Sequence, residues 1–282
     1  MYSFFQKTTI TLTICVTIFS CKTEKPDPLK KNFPLTELKA QKLPSKNNLW
    51  VFVLAGQSNM AGRGFVEPPD TIPSSRIFSI NKANEIILAK EPLHFYEPSL
   101  TGLDCGISFG RELIKSLPDS ISILLIPTAV GGSTISQWLG DSLHKNVQLF
   151  SNFSARTAVA KSIGTFKGIL WHQGENDALN DNDINAYKSR LSQLFIRFRE
   201  TTGVNNLPVF IGKLGDFAAE NQHKRNLINE QIVAYSQIDS NAIVIETKGL
   251  KDKGDKLHFN AEAQRMMGKR MAEAFNVFLK KQ

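Results

Sequence analysis

Ser58, His258 and Asp255 are the residues of this 282-residue chain whose types could jointly carry out acyl transfer. Ser58 follows an apolar run, residues 50–55, and lies in a turn punctuated by Gly56, Gly62 and Gly64. A serine hydroxyl is a weak nucleophile and needs a base at hand. His258 offers an imidazole, and Asp255, three residues earlier, is spaced so that on a helical turn its carboxylate reaches Nδ1 and fixes the tautomer. The developing oxyanion needs donors, for which the N–H of Ser58, the N–H of Gly132 and the side-chain amide of Gln173 are the candidates. Taken one at a time, these residues have plainer readings. Ser58 could simply cap a helix, and Asp255 and His258 could be a chance pair on a solvated turn.

What would bring them together is a parallel sheet. Apolar runs at 50–55, 121–128, 167–171, 207–211 and 242–246 read as strands, and helical patterns at 107–117, 151–164, 183–201 and 222–236 fall between them. Asn260 is placed to cap a last helix whose apolar face includes Met267, Met271 and Phe275. Five strands alternating with helices predict a three-layer α/β/α sandwich with a five-stranded, mainly parallel sheet, occupying residues 50–282. In such sheets the carboxyl ends of the strands share one edge, where ligands bind. That edge would collect Ser58, Gly131-Gly132-Ser133, Gln173-Gly174-Glu175 and the Asp255–His258 loop. The proline-dense stretch 65–104 reads as an irregular excursion bordering the site, its His94, Phe95 and Tyr96 pinning the loop rather than touching substrate. His144 and His223 read as exposed, and His172 as part of the core.

Net charge is +8, but it is unevenly placed. Residues 21–49 carry seven lysines against Glu24, Asp27 and Glu37, and only +3 remains for residues 50–282. A basic stripe for nucleic acid is therefore not expected. Lys7 followed by the apolar run Thr8 to Phe19 has the length of a signal-peptide core rather than of a membrane span. Ile18-Phe19-Ser20-Cys21 resembles the lipobox of bacterial lipoproteins, which implies removal of residues 1–20 and a lipid on Cys21, the sole link to a membrane. Residues 21–49 then read as a flexible tether, and the chain as exported. Cys105 would be the one cysteine left in the folded part, too few for a disulfide or a cysteine metal site, and reads as a small core residue.

The blocks Gly56-Gln57-Ser58-Asn59-Met60, Gly131-Gly132-Ser133-Thr134-Ile135 with Trp138 behind it, Trp171-His172-Gln173-Gly174-Glu175 and Asp255-Lys256-Leu257-His258 resemble the SGNH hydrolase superfamily. Within it they look like the carbohydrate O-acetylesterases that include sialate O-acetylesterases and acetyl xylan esterases of carbohydrate esterase family 6. The resemblance implies a flavodoxin-like sandwich and a metal-free, cofactor-free esterase acting on an acetylated carbohydrate. It implies Ser58 as nucleophile, His258 as base, Asp255 as its partner, and Ser58, Gly132 and Gln173 around the oxyanion. Gln57, Asn59 and Glu175 are read as supports of that site. A lipase or thioesterase of the same superfamily, and an inactive carbohydrate-binding lipoprotein, are the rival readings.

Overall fold

The computed structural model describes residues 1, 2 and 30–281. The expected signal-peptide core and the lipidated Cys21 lie outside the described residues. In chain order the elements are β1 (Leu49–Gly56), α1 (Ser58–Ala61), β2 (Ile77–Ile80), β3 (Ile86–Leu88), α2 (Gly106–Leu113), β4 (Ser122–Pro127), α3 (Ile135–Leu139), β5 (Leu143–His144), β6 (Val147–Gln148), α4 (Leu149–Ile163), β7 (Thr165–His172), α5 (Asp181–Thr202), β8 (Val209–Gly212), α6 (Gln222–Ser236), β9 (Ala242–Ile245) and α7 (Ala261–Leu279).

Among the described residues the central sheet has seven strands in the order β3-β2-β4-β1-β7-β8-β9, all parallel except β3. The mainly parallel α/β architecture is as expected, but the strand number is seven rather than five. The two extra strands, β2 and β3, form a short antiparallel hairpin inside the stretch read as irregular. They are only four and three residues long, and the prolines around them mask the pattern. Asn81 closes their turn, its Oδ1 accepting the N–H groups of Ala83 and Glu85.

β1 lies at the middle of the sheet, and its side chains alternate between two cores as a strand's period of two requires. Val51, Val53 and Ala55 face one layer with Trp138, Trp171, Tyr187, Phe195 and Phe198, drawn from α3, β7 and α5. Phe52 and Leu54 face the other, with Phe109 of α2 and Met267, Met271 and Phe275 of α7. Phe52 meets Phe275 edge to face at 5.0 Å. Each such ring removed from water stabilises the fold by about 1.5–3 kcal/mol, so a buried sheet centre anchors the strand that ends at Ser58.

The segment before β1 also departs from expectation. Residues read as a flexible tether run along the outer edge of β3: Ala40 donates to the carbonyl of Ile86 (2.9 Å), Leu88 to that of Leu38 (2.8 Å), and Lys39 pairs with Glu85. The unpaired backbone of an edge strand attracts such pairing, a force that composition alone does not reveal.

Candidate active site

The carboxyl ends of β4, β1 and β7 are stitched together by backbone bonds from Val130 to Gly56 (3.1 Å) and from Gln57 to His172 (3.0 Å). Ser58 opens α1 directly after this junction. The loop between β9 and α7 returns beside it, so residues 200 apart in sequence meet: His258 Nε2 lies 3.0 Å from Ser58 Oγ.

Asp255 completes the row, its Oδ2 2.7 Å from His258 Nδ1. A carboxylate only accepts, so the ring carries its proton on Nδ1 and leaves Nε2 free to accept from the serine hydroxyl. The spacing of three works through an Asx-type turn rather than a helical one. Lys256 sits at φ +57°, and Asp255 Oδ1 accepts the N–H groups of Leu257 (3.0 Å) and His258 (2.8 Å). Partial burial pulls the Asp255 carboxyl upward, but those N–H groups and the imidazole outweigh it and hold it below the usual carboxylate range. Burial pushes His258 below the ordinary histidine value, with Asp255 opposing the shift. A neutral imidazole aimed at a serine hydroxyl and steadied by an ionised carboxylate can take the hydroxyl's proton as the oxygen attacks a carbonyl.

Asn59 joins the two halves. Its Nδ2 donates to Glu175 Oε1 (2.5 Å) and to the carbonyl of Leu257 (3.1 Å), and its Oδ1 accepts from the N–H of Phe259 (3.0 Å). Gln264 of α7 donates to the carbonyl of Asn59 (2.8 Å). Gln57 Oε1 accepts from Gln173 Nε2 (3.2 Å) and from the N–H of Gly174 (3.3 Å). Gln57 thus braces the turn from β7, while Asn59 and Glu175 brace it against the His258 loop.

Gly131 and Gly132 form the opposite wall. A Cβ on Gly131 would come within 2.2 Å of Arg63 Nη2 and 2.6 Å of Glu97 Oε2, and Gly132 has φ +78°, so both positions call for glycine. The N–H of Gly131 donates to Glu97 Oε2 (2.6 Å), an oxygen that also accepts from Arg63 Nη2 (2.7 Å). Lys145 Nζ reaches Glu97 Oε1 at 2.5 Å. Burial would raise the Glu97 carboxyl, but Arg63, Lys145 and the Gly131 N–H prevail and hold it at about 2. Among the described residues the N–H groups of Ser58 and Gly132 have no acceptor, as suits donors kept for a ligand.

Gln173 does not join them. Its side chain is fully buried, and its Nε2 donates to Asp177 and to the carbonyl of Ser133 (3.0 Å), while its Oε1 accepts from Tyr187 (3.0 Å). The expected third oxyanion donor is therefore turned into the core, because Asp177, four residues on, captures the amide.

Residues 48–277 match the family model described as carbohydrate esterase, sialic acid-specific acetylesterase. The chain belongs to this family. It is 29% identical over 248 residues to a probable carbohydrate esterase of Arabidopsis thaliana, covering 80% of this chain and 89% of the plant protein. The crystal structure of the Arabidopsis protein superposes with a TM-score of 0.72 at 27% identity, covering 82% of this chain and 99% of that one. NanS, at 19% identity and a TM-score of 0.69 over 85% of this chain and all of the other, shares the fold. So does XAC1771, a carbohydrate acetylesterase from Xanthomonas citri, at 19% identity and 0.62, with 83% and 57% covered.

In the esterase, Ser58 and His258 open onto a cleft of ≈ 300 Å³. Its wall carries four cations, Lys30, Arg63, Lys145 and Lys253, against one carboxylate, Asp255. Asn176 also faces the cleft and donates from Nδ2 to the carbonyl of Gly132 (2.6 Å). Arg63, Glu97, Lys145 and Asn176 were not singled out by sequence reasoning; the only hint was the proximity of Arg63 and Asn176 to the Ser58 and Gln173 blocks. His144, read as exposed, instead sits 2.9 Å from the carbonyl of Gly131 through Nε2. The loop aromatics do pin the loop, as Tyr96 donates to the carbonyl of Pro127 (2.9 Å), and His94 lies buried against Asp104 (2.8 Å). Cys105 is a buried free thiol beside Met60. Among the described residues no cluster of three or more His, Cys, Asp or Glu side chains could hold a metal.

Proposed function

We propose that this carbohydrate esterase removes O-acetyl groups through Ser58, His258 and Asp255, by way of an acetyl-enzyme. The observation that carries the reading is the unbroken row from Ser58 Oγ to His258 Nε2 (3.0 Å) and from His258 Nδ1 to Asp255 Oδ2 (2.7 Å). Ser58 Oγ attacks the acetyl carbonyl while His258 takes its proton. The N–H groups of Ser58 and Gly132 stabilise the tetrahedral oxyanion. The C–O bond to the sugar breaks as His258 returns the proton to the departing hydroxyl, and a water activated by the same imidazole then releases acetate.

We further propose an acidic sugar as the substrate, in keeping with the family's description. Arg63, Lys145, Lys253 and Lys30 outnumber Asp255 and the Glu97 carboxylate beneath the wall, so the cleft attracts an anion. Among the described residues only Leu100 and Leu257 bring large apolar side chains to the cleft, few for seating a long acyl chain, which disfavours the lipase reading.

Hydrolysis of O-acetylated sialosides, acetylated xylan and aryl esters of increasing acyl length tests all of this, read as acetate from the first two and as the freed phenol from the last, with Ser58→Ala as control. Release from the sialosides above all, abolished in a folded Ser58→Ala protein, supports the proposal. Equal turnover by that variant would refute the nucleophile, and preference for xylan would refute the acidic sugar. Export and lipid attachment at Cys21 are proposed from the sequence alone. Fatty-acid labelling in a bacterial host that persists in Cys21→Ser would reject the anchor.

A further inference from the structure

We propose that His144 is a positioning residue for the oxyanion donor, acting through the peptide plane that joins Gly131 to Gly132. The inference rests on the acyl-transfer reading given above. The hairpin of β5 and β6 turns at Lys145 and Asn146, with φ of +48° and +62°, and carries His144 and Lys145 against the glycine turn. His144 Nε2 lies 2.9 Å from the carbonyl oxygen of Gly131. A carbonyl only accepts, so His144 holds its proton on Nε2 and donates it there.

That carbonyl and the N–H of Gly132 belong to one planar trans amide and point in opposite directions. Whatever fixes the carbonyl therefore fixes the direction of the donor. The bond does more than aim it, because accepting a hydrogen bond at C=O polarises the amide and makes its N–H a stronger donor.

The neighbouring groups are held as firmly, each from a different part of the chain. The N–H of Gly131 donates to Glu97 (2.6 Å), and the carbonyl of Gly132 accepts from Asn176 (2.6 Å). Three of the four polar backbone groups of the glycine pair are thus tied down, and the fourth, the Gly132 N–H, has no acceptor among the described residues. Two adjacent glycines cannot hold this orientation by themselves, since they lack side chains and roam widely in φ and ψ. Around the place where a Gly132 Cβ would sit, the nearest atoms are the ends of Asn176, His144 and Lys145 side chains, at 3.7–3.8 Å. Without His144 the shared peptide has room to rotate.

The test compares His144→Leu, which cannot donate, with His144→Gln, which can. Losing an oxyanion donor outright costs about 10²–10³-fold in kcat, so loosening one is expected to cost roughly tenfold or more. In hydrolysis of an aryl acetate, His144→Leu should show that fall in kcat with KM changed less than about twofold. His144→Gln should recover most of the rate. The amide ¹⁵N resonance of Gly132, which senses the bond made at the preceding carbonyl, should move in the leucine variant and stay near its position in the glutamine variant. A leucine variant that melts lower yet keeps kcat and the Gly132 resonance would show that His144 merely anchors the hairpin, and would overturn the proposal. A wild-type protein that hydrolyses no acetyl ester would defeat the acyl-transfer reading instead. The orienting contact would then stand or fall on the resonance alone, upheld by a shift in the leucine variant and overturned by none.

Discussion

The carboxamide of Asn59 bonds the backbone on both sides of His258, donating to the carbonyl of Leu257 at 3.1 Å and accepting from the N–H of Phe259 at 3.0 Å. The residue next to the serine thus sets the height of the imidazole, and hydroxyl and imidazole share one mount. Asn59→Leu is expected to lower kcat at least tenfold, in line with the sensitivity of catalysis to small misplacements. It should also cost about 1–3 kcal/mol of stability, because Glu175 and the Phe259 N–H lose a buried partner. Steady-state kinetics and urea unfolding of the same variant check both, and a variant with wild-type kcat would separate Asn59 from the geometry of the base.

The acid limb of activity follows from His258. Burial sets its pKa below the ordinary 6.5, and in the proposed mechanism the imidazole takes the proton only when neutral. The acid limb of kcat/KM should therefore be centred below 6.5. A limb centred at 7 or above would contradict the assignment.

Asp255→Asn removes the carboxylate that holds Nδ1 and favours the charged ring. It should reduce kcat on the order of 10²–10⁴-fold, as loss of the orienting acid does in serine proteases. The remaining activity should have its acid limb at still lower pH, since Asp255 opposes the downward shift of His258. An unmoved limb would show that Asp255 is not coupled to the titrating group.

The two glycines of the opposite wall should respond differently to alanine. In Gly132→Ala the new Cβ finds its nearest neighbours at 3.7 Å, so the cost is the φ of +78°, about 1–2 kcal/mol. Gly131→Ala drives its Cβ to within 2.2 Å of Arg63 and 2.6 Å of Glu97 and must displace that buried pair. Thermal melting should rank Gly131→Ala as the less stable of the two, and the reverse order would mean that Arg63 and Glu97 yield without cost.

Glu97 links stability to acid. Its folded pKa of about 2 lies below the ordinary carboxyl value of 4.5, so its contribution is fully present above pH 4.5 and fades as the pH falls toward 2. Glu97→Gln leaves Arg63 buried without its counter-ion, at a cost on the order of 3 kcal/mol near neutrality. The gap between wild type and variant in urea unfolding should narrow between pH 4.5 and the lowest pH at which both remain folded. A constant gap would show that the carboxylate's charge is not what stabilises the site.

How far the chain disclosed this site depended on the range of the forces involved. The apolar runs of β1, β4, β7 and β8 were readable because nearly all their residues are buried, and that of β9 because its four residues are all aliphatic or alanine. β2 and β3 were not, being short and dependent on the neighbour at the edge. The partnership of Asp255 with His258 shows in residue type and spacing, although the turn that realises it is not helical. For Gln173 spacing misled, since a strand end does not tell whether an amide faces the cleft or the core, and Asp177 and Tyr187 decide that here. Glu97 is a lone acid between Tyr96 and Pro98, and only the fold brings Arg63 and Lys145 to it.

The pairing of Leu38 and Ala40 with β3 bears on how the esterase meets copies of itself. A bare outer strand offers every passing chain a template for the same ladder. With residues 38–40 in place that margin is already occupied by its own chain. A protein trimmed to begin at β1 would keep the serine and the imidazole, yet gain an adhesive rim and a tendency to cluster.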